Sequence, residues 1–324
     1  MNPRLPPWLL PWLLPTIGAI ALLAAQPFLS SYLQDLVLRI VTLAIFALSL
    51  ELLVGTTGLV SLGHAAFYGI GAYATVMLSP PDGPGAIVLL LPAAAGFAAL
   101  YALFVGALSL RTKGVYFIMV TLAFAQMAYF VFHDTKFGGG TDGIYLNVRP
   151  VLAIGERVVL DTDHKPTLYW LACTLLIATG ALLALIRRAR FGHALAGIRV
   201  NEQRMRAAGF PTTLYKLAAF VIAAALAGVA GFVAATKDGV VNPELLSWHV
   251  SGEVLLVIIL GGLGHLRGAV LGAVAFVLLK ELLSTPALVG PLSERWQLTL
   301  GFTVIAFVAL LPKGLIGLAR RRLS

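Results

Sequence analysis

Apolar residues come in long runs separated by short polar breaks. Ten runs are long enough to read as membrane-spanning helices: residues 8–29, 33–54, 60–79, 86–110, 114–132, 167–186, 214–236, 250–264, 268–283 and 296–312. The fold class this predicts is all-α, a polytopic membrane protein of one transmembrane domain over 1–324. Two polar segments stand out, at 134–166 and 187–213. The glycine-rich corners VGTTGLVSLGH (54–64) and LGGLGHLRG (260–268) interrupt the runs. Glycine corners serve either close helix packing or broken helices that line a path.

Segment 187–211 reads RRARFGHALAGIRVNEQRMRAAGFP. Phe191, Leu195 and Ile198 recur at helical spacing. Asn201 is placed to cap a second short helix, Glu202 falls in its first turn, Gly209 can end it and Pro211 stops its continuation. Two short helices lying on the membrane face are expected. They serve either as a docking element or as an ordinary basic loop.

Composition supports the membrane reading. The 324 residues are 59% hydrophobic and 11% charged, against about half and a quarter in soluble domains. The net charge of +9 would suggest nucleic acid in a soluble protein, but its distribution does not. Residues 187–216 hold seven Lys or Arg and one acid, while 134–166 hold four bases and five acids. That asymmetry places the first segment in the cytoplasm and the second outside, with both termini cytoplasmic. The N-terminus resembles a signal peptide, with Ala19 and Ala21 as a weak cleavage pattern, but its apolar run suits an uncleaved first span.

Chemistry-bearing clusters are absent from the sequence. The six histidines are scattered, and no metal-ligand spacing or nucleophile elbow occurs. No Gly-x-x-x-x-Gly-Lys-Ser/Thr string occurs either, so neither a catalytic role nor a metal is expected. Cys173 lies alone in an apolar run. Arg39, Glu51, Gln126, Lys280 and Glu281 are polar groups within or ending the spans, where they are costly. Gly69 and Gly71 with Tyr68 and Tyr73, following the Ser-Leu-Gly-His corner, put the third span near any translocation route. Its candidate path residues are Gly63, His64, Tyr68 and Gly71, with Gln126 from the fifth span. In the outer loop, FGGGTDGIYLN (137–147) makes Gly139, Gly140 and Asp142 candidates for contact with a partner.

Three stretches resemble a known family. They are LLVGTTGLVSLGHAAFYGIGAYATVML (52–78), LRTKGVYFIMVTLAFAQMAYFVF (110–132) with GGGTDGI (138–144), and 187–232 with EVLLVIILGGLGHLRGAVLGA (253–273). Together they are similar to the permease subunits of bacterial branched-chain amino-acid ABC importers, the M-type of the paralogous pair. The resemblance implies a second, paralogous permease, two cytoplasmic ATPases that bind the ATP-Mg, and a periplasmic amino-acid-binding protein. It implies no cofactor in this chain itself, membrane lipid around it and no nucleic-acid partner. It also implies that 191–209 couples to the ATPase, through Gly192, Ala194, Ala196, Arg199, Asn201, Glu202 and Gly209. Permeases of urea or other amide importers share these motifs, and a secondary transporter working alone is the competing class.

The charge asymmetry predicts that residues 145 and 200 lie on opposite sides of the membrane. Single-cysteine variants labelled with an impermeant reagent should react from opposite faces. Labelling of both from one face would overturn the assignment.

Overall fold

The computed structural model of the protein describes residues 10–154, 157–311 and 314–321. The start of the first run and the extreme ends of the chain, including Lys313 and Arg322, lie outside the described residues. The helices are α1 (Leu10–Ala25), α2 (Ser31–Glu51), α3 (His64–Met77), α4 (Ile87–Ser109), α5 (Val115–Asp134) and α6 (Lys165–Arg188). There follow α7 (Arg190–Val200), α8 (Glu202–Ala207), α9 (Thr212–Asp238), α10 (Trp248–Gly261), α11 (Leu266–Ser284), α12 (Pro286–Val289), α13 (Trp296–Leu310) and α14 (Gly314–Arg321). Strands β1 (Ile144–Tyr145), β2 (Val151–Ile154), β3 (Arg157–Asp161) and β4 (Val240–Val241) are short.

The all-α expectation is therefore corrected in the 134–166 loop. There β2 and β3 form a hairpin, and β1 pairs antiparallel with β4. Polar residues outside the apolar runs have no lipid-imposed need to be helical, and pairing satisfies their backbone groups.

Fewer than ten of the runs form whole helices of spanning length. Among the described residues six helices are long and apolar enough to cross a membrane, or seven if α10 and α11 count together. That pair is bent by 113° at the 262–265 corner, where Gly262 and Gly264 adopt positive φ. Hydropathy cannot tell a broken helix from two whole ones. The 60–79 run yields only the 14-residue α3, about 21 Å long. The shortfall is taken up by non-helical chain at 58–63, which follows a π-helical turn over Leu52–Thr57.

Contacts sort the loops into two ends. At one end lie the π turn, the 262–265 corner, Lys113 and the α7–α8 segment, as the interactions described below show. At the other, Val151 N–H bonds to the Gly85 carbonyl at 2.8 Å, and Lys165 pairs with Asp35 at 2.9 Å. The strand β4, just after α9, joins the outer loop there.

The core is built on α2 and α9, the most enclosed of the long helices, with α9 packed on α3, α4 and α2. Small residues make this possible. A side-chain carbon at Gly71 would lie 2.5 Å from Gly228 Cα. One at Gly228 would lie 2.5 Å from the Ala94 carbonyl oxygen, and one at Gly231 would overlap the Tyr68 carbonyl. Lipid offers no hydrophobic drive for association between helices, so backbone-close van der Waals packing has to supply it. The outer sides of α4 and α5 carry exposed Leu100, Phe104, Met127 and Phe130, as a lipid-facing surface requires.

Gly71→Leu should force the α3–α9 seam apart, at a cost of about 1–3 kcal/mol or more. Gly96→Leu, on an open face of α4 with nothing within 4 Å, should be neutral. Melting of the purified protein in detergent checks both. Equal stability of the two variants would show that the seam tolerates bulk.

Candidate functional site

The α7–α8 segment folds as its caps dictate. Asn201 Oδ1 accepts the Arg204 N–H at 2.9 Å, and α8 ends before Gly209, whose φ of +87° suits only glycine comfortably. Phe191, Leu195 and Ile198 pack inward, with Phe191 stacked on Tyr215 of α9. Glu202 ties the segment to the start of α9. Its carboxylate meets Arg206 at 2.8 Å and Lys216 at 2.6 Å, and accepts from Thr212 at 3.2 Å. Partial burial pushes this carboxyl up, but Lys216, Thr212 and Lys113 outweigh that and hold it below its ordinary value.

Two arginines then reach from the segment into the bundle. Arg199 donates to the Gly55 carbonyl in the π turn, and Arg187, at the end of α6, donates to the Gly264 carbonyl at 2.9 Å. Near both guanidinium groups lies Glu51, 1% exposed, with no hydrogen-bond partner for its carboxyl oxygens among the described residues. Both glycine corners are thus joined to the polar segment at one electrostatic node. A side chain at Gly55 would collide with the Glu51 carboxylate, so the glycine is what lets acid and π turn coexist.

The expected coupling residues divide by face. Gly192 and Ala194 are buried, and a side-chain carbon at Gly192 would strike the Ile186 carbonyl and the Arg187 backbone. Their smallness therefore serves the α6–α7 joint. Ala196, Asn201 and Gly209 face outward. The residue that composition concealed is Val200, 87% exposed at the α7–α8 junction. Its signal was one apolar side chain between Arg199 and Asn201.

The expected path residues are not brought together. Gly63 is pressed against the Thr121 backbone and Gly71 against Gly228. His64 is fully buried, with Nε2 2.8 Å from Ser49 Oγ and its ring stacked on Phe46. Ser49 donates to the Phe46 carbonyl, so it accepts from the imidazole. Gln126 is half-buried on α5. Tyr68 alone of this set lines an open cavity of about 540 Å³. In the outer loop Gly139 and Asp142 are exposed and Gly140 half-buried; Gly139 and Gly140 have positive φ. The buried Gly138 carbonyl accepts from Tyr73 at 3.1 Å, which anchors that turn to α3.

Residues 32–309 match the family described as branched-chain amino acid transport system, permease component. The chain belongs to that family. Within this permease family it is 29% identical to the high-affinity branched-chain amino acid transport system permease protein LivM of Escherichia coli (strain K12), over 95% of this chain and 76% of that protein. It is 30% identical, with the same coverage, to LivM of Salmonella typhimurium. To the permease protein LivH of Escherichia coli (strain K12) it is 24% identical, over 85% of this chain and 91% of that one. No solved structure matches the chain significantly. A multi-pass membrane permease accounts for the apolar helices and for the polar segment seated on one end of the bundle.

The Glu202 clamp has a defined pH dependence. A carboxyl held below its ordinary value of 4.5 in the folded protein stabilises the fold above that pH and loses the contribution as pH falls through its lowered value. Glu202→Gln should loosen α8 at pH 7 by roughly 1 kcal/mol or less, as befits a partly exposed pair. Faster amide exchange in 202–207 checks it, and exchange identical to wild type would show that the ion pairs contribute nothing.

Proposed function

We propose that the chain is the transmembrane permease subunit of an ATP-driven importer for branched-chain amino acids. It works beside a paralogous permease, with two cytoplasmic ATPases that bind ATP-Mg and a periplasmic binding protein that delivers the substrate. The bacterial cytoplasmic membrane is its site, with α7–α8 and both termini on the cytoplasmic face. The apolar segments cross ten times, α3 completed by the extended 58–63 stretch and α10 and α11 forming a broken pair.

One observation carries the coupling role. A capped, ion-paired segment presents Val200 outward while its arginines hold the broken backbone at Gly55 and Gly264. Displacing a docked α7–α8 unit therefore displaces α2, α6, α9 and the α10–α11 corner together, because a rigid joint transmits motion that a frayed one would absorb. ATP-driven closure of the ATPases supplies the push, and the path between the two permeases alternates its exposure. The sequence holds no phosphate-binding loop, in keeping with ATP hydrolysis on separate chains. The turn at Gly139, Gly140 and Asp142, exposed at Gly139 and Asp142, is the contact for the binding protein, on the opposite end.

The test is Val200→Asp in the assembled importer. Val200 is too exposed for the change to unfold the chain. Retention of the ATPase on affinity purification and ATP-dependent leucine uptake should each fall roughly tenfold, the effect of about 1.4 kcal/mol at an interface. Undiminished retention and uptake would remove α7–α8 as the docking element.

A further inference from the structure

The 540 Å³ cavity lies at the end of α2, α9 and α11 remote from α7–α8, within the roughly 300–1,000 Å³ range of small-molecule sites. Its wall is divided. Near the ends of the helices stand Arg39, Lys237 and Lys280 against Asp238, Glu253 and Glu281, three charges of each sign. Deeper in, Leu43, Phe46 and Val277 offer an apolar surface, with Tyr68 stacked on Phe46 at 4.7 Å, while Val250, near the start of α10, is apolar wall beside the charged groups.

The charges are not all consumed by one another. Lys237 pairs with its neighbour Asp238 at 2.5 Å, and Glu281 accepts from the Tyr32 hydroxyl. Lys280 lies 3.6 Å from Glu253 and 5.3 Å over the Trp296 ring, too far from the carboxylate for a good hydrogen bond. Arg39 is exposed and enters no ion pair among the described residues. An unpaired guanidinium two turns into an apolar helix is expensive unless it faces water or an anion. Its planar fork suits a carboxylate.

We propose that this cavity is a transit site for one aliphatic α-amino acid in its zwitterionic form. Arg39, with Lys280 beside it, takes the carboxylate; Glu253 takes the ammonium; and the side chain lies against Leu43, Phe46, Val250 and Val277. This rests on the reading of the chain as an amino-acid permease and goes further. Balanced charges around an apolar floor select a zwitterion over a neutral amide such as urea, which would leave both charged poles unanswered. The wide Lys280–Glu253 spacing also lets the pair re-form as substrate leaves, which keeps the site weak enough to release.

The experiment uses the assembled importer in nanodiscs without the binding protein. Ser284→Cys, on the cavity wall, is placed in a Cys173→Ala background, and its modification by a charged methanethiosulfonate is timed. Leucine should slow the reaction, while leucinamide, 4-methylpentanoate and urea should not. Arg39→Gln and Glu253→Gln should each abolish the protection, and should lower leucine uptake into proteoliposomes roughly tenfold at equal membrane amounts, the loss expected of one charge-assisted hydrogen bond. Arg39→Lys should keep part of both. Absence of protection by leucine, equal protection by the three analogues, or wild-type uptake by both variants would overturn the site. If the wild-type importer carries urea and not leucine, the amino-acid reading itself fails, an outcome distinct from the loss of the site alone.

Discussion

Broken helices leave backbone carbonyls without their helical partners. The fold meets that constraint with two guanidinium groups, Arg199 on the Gly55 carbonyl and Arg187 on the Gly264 carbonyl. Backbone freed from a helix persists away from water only where protein satisfies it. Glu51 is buried beside them, and its carboxyl oxygens have no hydrogen-bond partner among the described residues. The polar segment is thus part of the bundle's hydrogen bonding as well as a surface on it. The same bonds that complete the π turn and the 262–265 corner join them mechanically to α7 and α8.

Glycine does two different jobs in this protein. At Gly71, Gly228 and Gly231 it brings α3, α4 and α9 into backbone contact, and so builds a rigid centre from helices that lipid alone would not press together. At Gly58, Gly209, Gly262 and Gly264 positive φ lets the chain turn at the end where the arginines gather. A rigid seam beside jointed corners is what a lever requires. The Glu202 clamp ties α8 to the start of α9, whose far end at Asp238 borders the charged cavity.

Much of this was legible in the residues. The apolar runs mark the helices because hydrocarbon tolerates little else. The Asn201 cap and the Gly209 stop were readable because capping is chemistry local to one turn. The asymmetry between 134–166 and 187–216 set the two polar ends apart, and the long α6 between them makes that separation independent of the total number of spans.

Tertiary structure decided the rest. Whether 250–283 holds two helices or one bent pair depends on a 113° break that hydropathy cannot register. Whether Gly192 and Gly71 face a partner, a path or a neighbouring helix depends on which backbone lies against them, and those backbones were invisible along the chain. Arg199 finds Gly55 across 144 residues, and Ser251 Oγ accepts the Ala65 N–H across 186. Arg39, Glu253 and Lys280 share one cavity only because α2, α10 and α11 pack together. Sequence alone determined what must lie in lipid and what must lie in water, since transfer free energy belongs to each residue. It did not determine which polar groups meet, since that follows from the packing of helices against each other.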